Sequence, residues 1–315
     1  MTALAAISPA SVAGQWAGVS VGALTTVSGD SADLLRVAQL ESRGSSAAYL
    51  LRSTSSLLQD PRASKTSSFR FIAPAVWIFQ NSALPSGEND GALWAGKGPN
   101  ARVITGIDAG IGGLRVTLLP ELAYSSNEFF EYGQLFLPAI PATRSPYSSP
   151  WNPVPVSIDA PPRFGAKKTV RVAPGQSSIA FRARGIELGV TTENEWWGPG
   201  IRTAIVLSDN AEGFPRAFIK TSSPKATRLG TFNARLTWGG LSESKYFDTD
   251  PSNDLRYWSA FAATWTPARE PDLTLGISRA VFANASGWSG VAARPFHAFL
   301  PARRSEQTSI TDPTF

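Results

Sequence analysis

Beyond Ser67, apolar and polar residues alternate with a period of two in one segment after another, and this pattern limits the fold more than any other feature of the chain. Leu114, Val116, Leu118, Leu122 and Tyr124 share one face, with Arg115, Thr117 and Glu121 on the other. Phe232, Ala234, Leu236 and Trp238 oppose Thr231, Asn233, Arg235 and Thr237. Tyr257, Phe261, Ala263 and Trp265 form another face, as do Leu273, Leu275, Ile277 and Val281. Between Phe181 and Val190 the alternation changes phase around Gly185–Ile186, which predicts a β-bulge. The segments run to roughly ten residues, the length of a strand that crosses a bilayer at a tilt.

Two architectures satisfy this alternation. A soluble sandwich or propeller shows it, and so does a transmembrane barrel. Aromatics near strand ends (Tyr124, Trp238, Trp258, Trp265, Trp288) fit the interfacial girdles of a barrel, and long Pro- and Ser-rich loops such as Pro138–Pro162 contrast with short turns elsewhere. The cations are 22 Arg and only 7 Lys; arginine suits fixed contacts in partly buried places, and inward-facing arginines pair with Glu across a lumen. The net charge is only +5 and the basic residues are scattered, Lys167–Lys168 and Arg303–Arg304 being the longest basic runs, so no nucleic-acid partner is expected.

The N-terminal part reads differently. Residues 1–29 carry no charge, and the small residues of MTALAAISPASVAG resemble the second half of a signal peptide that lacks its basic start. Residues 30–66 read as a helical region. Leu34, Val37, Ala38 and Leu40 form a stripe capped by Ser31, and a second helix is predicted over Ala47–Gln59, stopped by Asp60–Pro61. Residues 67–315 hold the strands and their loops.

Composition removes several chemistries. There is no cysteine and only one histidine, so thiolate zinc sites, iron–sulfur clusters, thiol nucleophiles and His-rich metal sites are all excluded, and a histidine relay finds no support. His297 reads as an incidental loop residue. Gly91–Gly98 (GALWAGKG) approaches a phosphate-binding loop, but Gly98 stands where Ser or Thr is needed and a strand follows instead of a helix. It reads as a glycine-rich turn between strands. No G-x-S-x-G elbow is present. No catalytic residue, cofactor or metal is assigned.

The densest polar–aromatic cluster is TTENEWWGPGIR at Thr191–Arg202, followed by SDNAEGFPR at Ser208–Arg216. Glu193 and Glu195 fall on the same side of a strand. Paired carboxylates serve glycoside hydrolases, although catalytic pairs usually converge from separate elements. Two other readings stand. Glu193, Glu195, Trp196, Trp197, Arg202, Asn210 and Arg216 suit a non-catalytic sugar site of flat rings and fixed hydrogen-bonding groups, in which Arg202 and Arg216 neutralise acidic sugars and binding weakens with salt. Alternatively, the tryptophans are an interfacial pair at a tight turn and the charges form lumen ion pairs.

The run TTENEWWGPGIRTAIVLSDNAEGFPRAFIKTSSP resembles the signature segment of the capsule assembly protein Wzi family of Gram-negative bacteria. ALWAGKGPNARVITGID, LRVTLLPELAYSSNEFF, LGTFNARLTWGGLSESKYF, DLTLGISRAVF and the early SADLLRVAQLESRGSSAAYLLRSTSSL support the likeness, which spans roughly Val19 to Phe282. The resemblance implies an all-β fold: a transmembrane antiparallel β-barrel of the outer membrane with a small N-terminal α-helical periplasmic region. It also implies a non-enzymatic surface lectin that holds capsular or extracellular polysaccharide, with that polymer and outer-membrane lipid as partners. A porin-like channel is the alternative, and a carbohydrate-active hydrolase a third. About eleven strand candidates and the polar end SEQTSITDPTF lead us to expect an incomplete barrel, a fragment lacking further strands.

Overall fold

The computed structural model describes residues 4–5, 27, 50–57, 67–131, 147 and 161–301. The predicted helix beginning at Ser31 and nearly all of the loop Pro138–Pro162 lie outside them. The architecture is antiparallel β, and no described helix is long and apolar enough to cross a membrane.

One sheet dominates. It contains β1 (Leu4–Ala5), β3 (Ser68–Asn81), β4 (Gly98–Ile111), β5 (Leu114–Leu118), β6 (Glu121–Ser125), β7 (Thr169–Ala173), β8 (Ser178–Ala183) and β9 (Ile186–Thr191). It continues through β11 (Arg216–Thr221), β12 (Lys225–Thr227), β13 (Gly230–Ser242), β14 (Leu255–Pro267) and β15 (Leu275–Asn284). Apart from β1, neighbours in the sheet follow chain order as a meander. β5 and β6 form one path broken at Leu119–Pro120, and β7 and β8 another broken at Pro174–Ser177. Proline offers no N–H to the ladder, so the paired paths bend together at these points. Among the described residues no ladder joins β15 back to the first strands, and the sheet is open.

The two ends of the meander differ. One end has tight turns: Gly112–Gly113 joins β4 to β5, and Arg184–Gly185 joins β8 to β9. Arg184 and Gly185 have φ of 49° and 82°, as a two-residue hairpin turn of the primed type requires. The phase change near Gly185 is therefore a chain reversal and not the predicted bulge. The true bulge lies between Ile72 and Ala75 of β3, where Pro74 interrupts the register with β4. The opposite end carries the longer connections 82–97, 126–168, 192–215 and 243–254. Gly91–Lys97 lies in the first of these and Gly98 opens β4, so the segment is a turn and not a phosphate loop.

The sheet's polarity is reversed from that of a soluble sandwich. Thr117, Glu121, Glu187, Arg216, Lys220, Arg235 and Thr237 are buried on its inner face. Leu118, Leu122, Val172, Phe181, Leu188 and Ile219 are exposed on its outer face. The division is clearest in β6, β8 and β11, where buried and more exposed residues alternate because successive side chains point to opposite faces.

A second, two-stranded sheet covers part of the inner face: β2 (Leu51–Ser53) paired with β10 (Glu195–Trp197). Residues 51–53 are thus a strand where a helix was predicted; among the described residues of that stretch, α1 (Thr54–Leu57) alone is helical. Pairing with β10 satisfies backbone groups that this buried segment otherwise leaves unmet. Leu51 and Trp197 pack against Trp258, Ala260 and Ala262 of β14, fixing the small sheet on the large one. After β15, α2 (Trp288–Ala292) and residues 293–300 fold over the outer face of β14, where the Phe299 ring stacks on Phe261 with centroids 4.6 Å apart.

Candidate functional site

The predicted cluster divides between the interior and the surface. Glu193, Glu195, Trp196, Trp197 and Arg216 are buried together, while Arg202 and Asn210 are exposed. Their backbone is built around Gly198, whose φ of 114° suits glycine; a Cβ there would press on the Ile205 side chain at 2.8 Å. The resulting turn lets Trp197 hydrogen-bond residues 205–207 on one side of β10 while β2 pairs on the other.

Glu195 is the centre of the interior group. Its Oε1 accepts from Arg216 Nη2 at 2.8 Å, and its Oε2 meets Arg235 Nη1 at 2.6 Å and accepts from Trp197 Nε1 at 2.6 Å. Burial works against its charge, but the Arg235 and Arg216 guanidiniums and these hydrogen bonds outweigh burial and hold its pKa at about 2. Arg216 Nη2 also donates to the Glu193 carbonyl at 2.6 Å, tying β11 to the segment before β10.

Glu193 points the other way. Its carboxylate accepts from the Ser55 N–H at 2.7 Å and the Ser55 hydroxyl at 2.9 Å, at the start of α1. The Asn194 N–H donates to Gln176 Oε1 at 2.8 Å, and the amide of Gln176 donates onward to Glu121 and Asn194, each at 2.7 Å. Arg102 pairs with Glu121 at 3.3 Å and lies over the Trp77 ring at 5.0 Å. The interior is a connected polar network in which Glu193 and Glu195 serve as anchors for other elements. An acid–base pair needs a carboxyl group that reaches a substrate; both of these are engaged with the protein itself.

Trp196 is fully buried; its Nε1 donates to the Gly200 carbonyl at 2.9 Å, and the Arg52 guanidinium lies 5.4 Å from its ring centre. Neither tryptophan offers a free ring face. Asn210 accepts from the Asn89 N–H at 3.3 Å, joining loops 82–97 and 192–215. Burial pushes Asp90, in the first of these loops, up to about 6 against the lowering influence of Arg102. Burial likewise raises Glu212, which pairs with Arg171.

Accessible ring surface lies in the loops at the same end, at residues the sequence reading did not select. Trp94, Phe164, Tyr246 and Tyr147 form a chain of edge-to-face rings, and Phe129 stands beside Arg163. Spacing gave no signal for them, because loops far apart in the chain bring them together. Among the described residues, Glu243, Asp248 and Asp254 place carboxylate oxygens within 4.8 Å of one another in loop 243–254. Glu243 pairs there with Arg256 at 3.0 Å, and Asp248 accepts from the Asp250 N–H at 2.7 Å.

Comparison with protein-family models, curated proteins and solved structures returns no match for the chain.

Proposed function

We propose that the chain is an outer-membrane β-protein that anchors capsular or extracellular polysaccharide at the surface of a Gram-negative bacterium, without catalysing a reaction. The observation that carries this reading is the reversed polarity of the sheet, apolar outside and charged within. Such an outer face is stable in lipid and a liability in water. Strand length agrees: β13 and β14 have 13 residues each, about 43 Å of extended chain, enough at a tilt for an apolar band about 25 Å tall. Tight turns at one end and longer connections at the other follow the usual outer-membrane arrangement. The resemblance of TTENEWWGPGIRTAIVLSDNAEGFPRAFIKTSSP to the Wzi family supplies the polysaccharide role.

The inner sheet of β2 and β10 occupies space that a channel needs, which favours a filled lumen over a porin-like pore. Deleting the gene tests the anchoring reading: surface polysaccharide is expected in the medium instead of on the cell, and unchanged retention contradicts it. In planar bilayers the whole protein is expected to give no large open currents.

A further inference from the structure

We infer that the polysaccharide contact is an aromatic ledge formed by Trp94, Phe129, Phe164 and Tyr246, and that it binds neutral hexopyranose units by ring stacking instead of by charge. This rests on the anchoring reading and assigns it a site different from the buried tryptophans.

The ledge gathers loops 82–97, 126–168 and 243–254, all at the end away from the tight turns. The Trp94 and Phe164 rings meet at 5.5 Å and 65°, and Phe164 and Tyr246 at 5.5 Å and 84°. Each edge-to-face contact covers part of a ring face, and Lys245 Nζ lies 5.2 Å from the Tyr246 ring centre, so the surface left for a ligand is on Trp94 and Phe129. Trp94 remains 36% exposed and Phe129 66%. Pyranose rings present flat patches of C–H groups, which an open aromatic face matches.

The ledge is held in place before any ligand arrives. Asn127 is buried with φ 47°, and its Nδ2 donates to the Gly165 carbonyl at 3.0 Å and the Lys167 carbonyl at 2.8 Å. Arg163, 8% exposed, donates to the Asn127 carbonyl at 2.9 Å and lies 5.5 Å from the Phe129 ring centre. Gly165 has φ 82° and approaches so closely that a Cβ would sit 3.2 Å from the Tyr246 ring. Rings fixed in this way lose little freedom on binding, so weak stacking contacts give usable affinity when repeated along a polymer.

Charge argues for a neutral unit. Among the described residues these loops carry Lys97, Arg163, Lys167, Lys168 and Lys245 against Glu88, Asp90, Glu128, Glu131, Glu243, Asp248, Asp250 and Asp254. Arg216, the cation buried deepest in the predicted sugar site, is committed to Glu195. Nothing in this balance selects an acidic sugar, so binding by the ledge is insensitive to salt.

The test uses the whole protein in detergent against immobilised gluco-, manno- and galacto-oligosaccharides and against polygalacturonate. At least one neutral oligosaccharide binds, and raising NaCl to about 0.5 M changes its affinity little. Trp94→Ala and Phe129→Ala each weaken binding about tenfold with unchanged thermal unfolding, and Trp94→Tyr restores most of it. The inference is overturned if only polygalacturonate binds, if no oligosaccharide binds, if the alanine variants bind like the unaltered protein, or if Trp94→Tyr binds as poorly as Trp94→Ala. Gene deletion that leaves polysaccharide on the cell overturns the anchoring reading instead, whatever the array shows.

Discussion

At the scale of single residues, Glu195 concentrates more of the interior's electrostatics than any neighbour, since two buried guanidiniums converge on its carboxylate. Breaking a buried pair by removing one partner is costly because the remaining charge is left uncompensated. Glu195→Gln is expected to destabilise the protein by about 3–5 kcal/mol, read from unfolding in detergent. The same carboxylate sets an acid limit. Its folded pKa of about 2 is below the ordinary 4.5, so the unfolded chain takes up the proton first and stability falls as pH drops from about 4.5 towards 2. Asp90 has the opposite sign. Its folded pKa of about 6 exceeds the ordinary 3.8, so the folded chain takes up the proton first and stability falls as pH rises from about 4 through 6. Asp90→Asn is therefore expected to raise the thermal midpoint at pH 8 and to change it little at pH 3, a difference that calorimetry at the two pH values measures. The cluster at Thr191–Arg216 was legible from composition alone, because carboxylates, tryptophans and arginines so dense on one segment serve some shared purpose. The ion-pair reading anticipated Glu195 with Arg216 but not the burial of the two tryptophans, which follows from the pairing of β10 with β2 and from the hydrogen bond of Ser55 to Glu193, 138 residues away.

At the scale of elements, the period-two pattern in β5, β6 and β13 predicted which residues share a face, and the observed burial follows it: Thr117, Glu121, Arg235 and Thr237 inside, Leu118 and Leu122 outside. Alternation survives because it is a local property of an extended chain. Breaks in it are ambiguous. A phase change marks a bulge or a tight reversal equally well, and at Gly185 the ladder Ala183↔Ile186 settles it as a hairpin. Residues 51–53 were misread for a related reason: their helical spacing carries less weight than the hydrogen bonds offered by β10. The turn itself invites a test. Arg184 sits at φ 49°, a conformation that Asn tolerates better than Arg. Arg184→Asn is expected to stabilise the β8–β9 hairpin by several tenths to about 1 kcal/mol, measured as slower amide exchange in both strands.

At the scale of the whole molecule, an apolar outer face and a charged inner face are compatible with one environment each: lipid outside, and a polar interior filled by protein within. The open edges between β15 and the first strands are expensive in lipid unless covered, since unpaired backbone groups find no water there. Leu188, half exposed on β9, offers one measure of the lipid claim; Leu188→Arg is expected to destabilise folding into vesicles by up to about 2–4 kcal/mol. The chain has no cysteine, so single cysteines can be placed and labelled without background. The central measurement is spin labelling of whole protein in lipid vesicles at Ala234→Cys and Leu236→Cys, on the outer face of β13, and at Asn233→Cys and Thr237→Cys on its inner face. Accessibility to oxygen, which concentrates in lipid, is expected at positions 234 and 236 and not at 233 and 237. Equal exposure of positions 234 and 236 to a water-soluble relaxation agent would contradict the account.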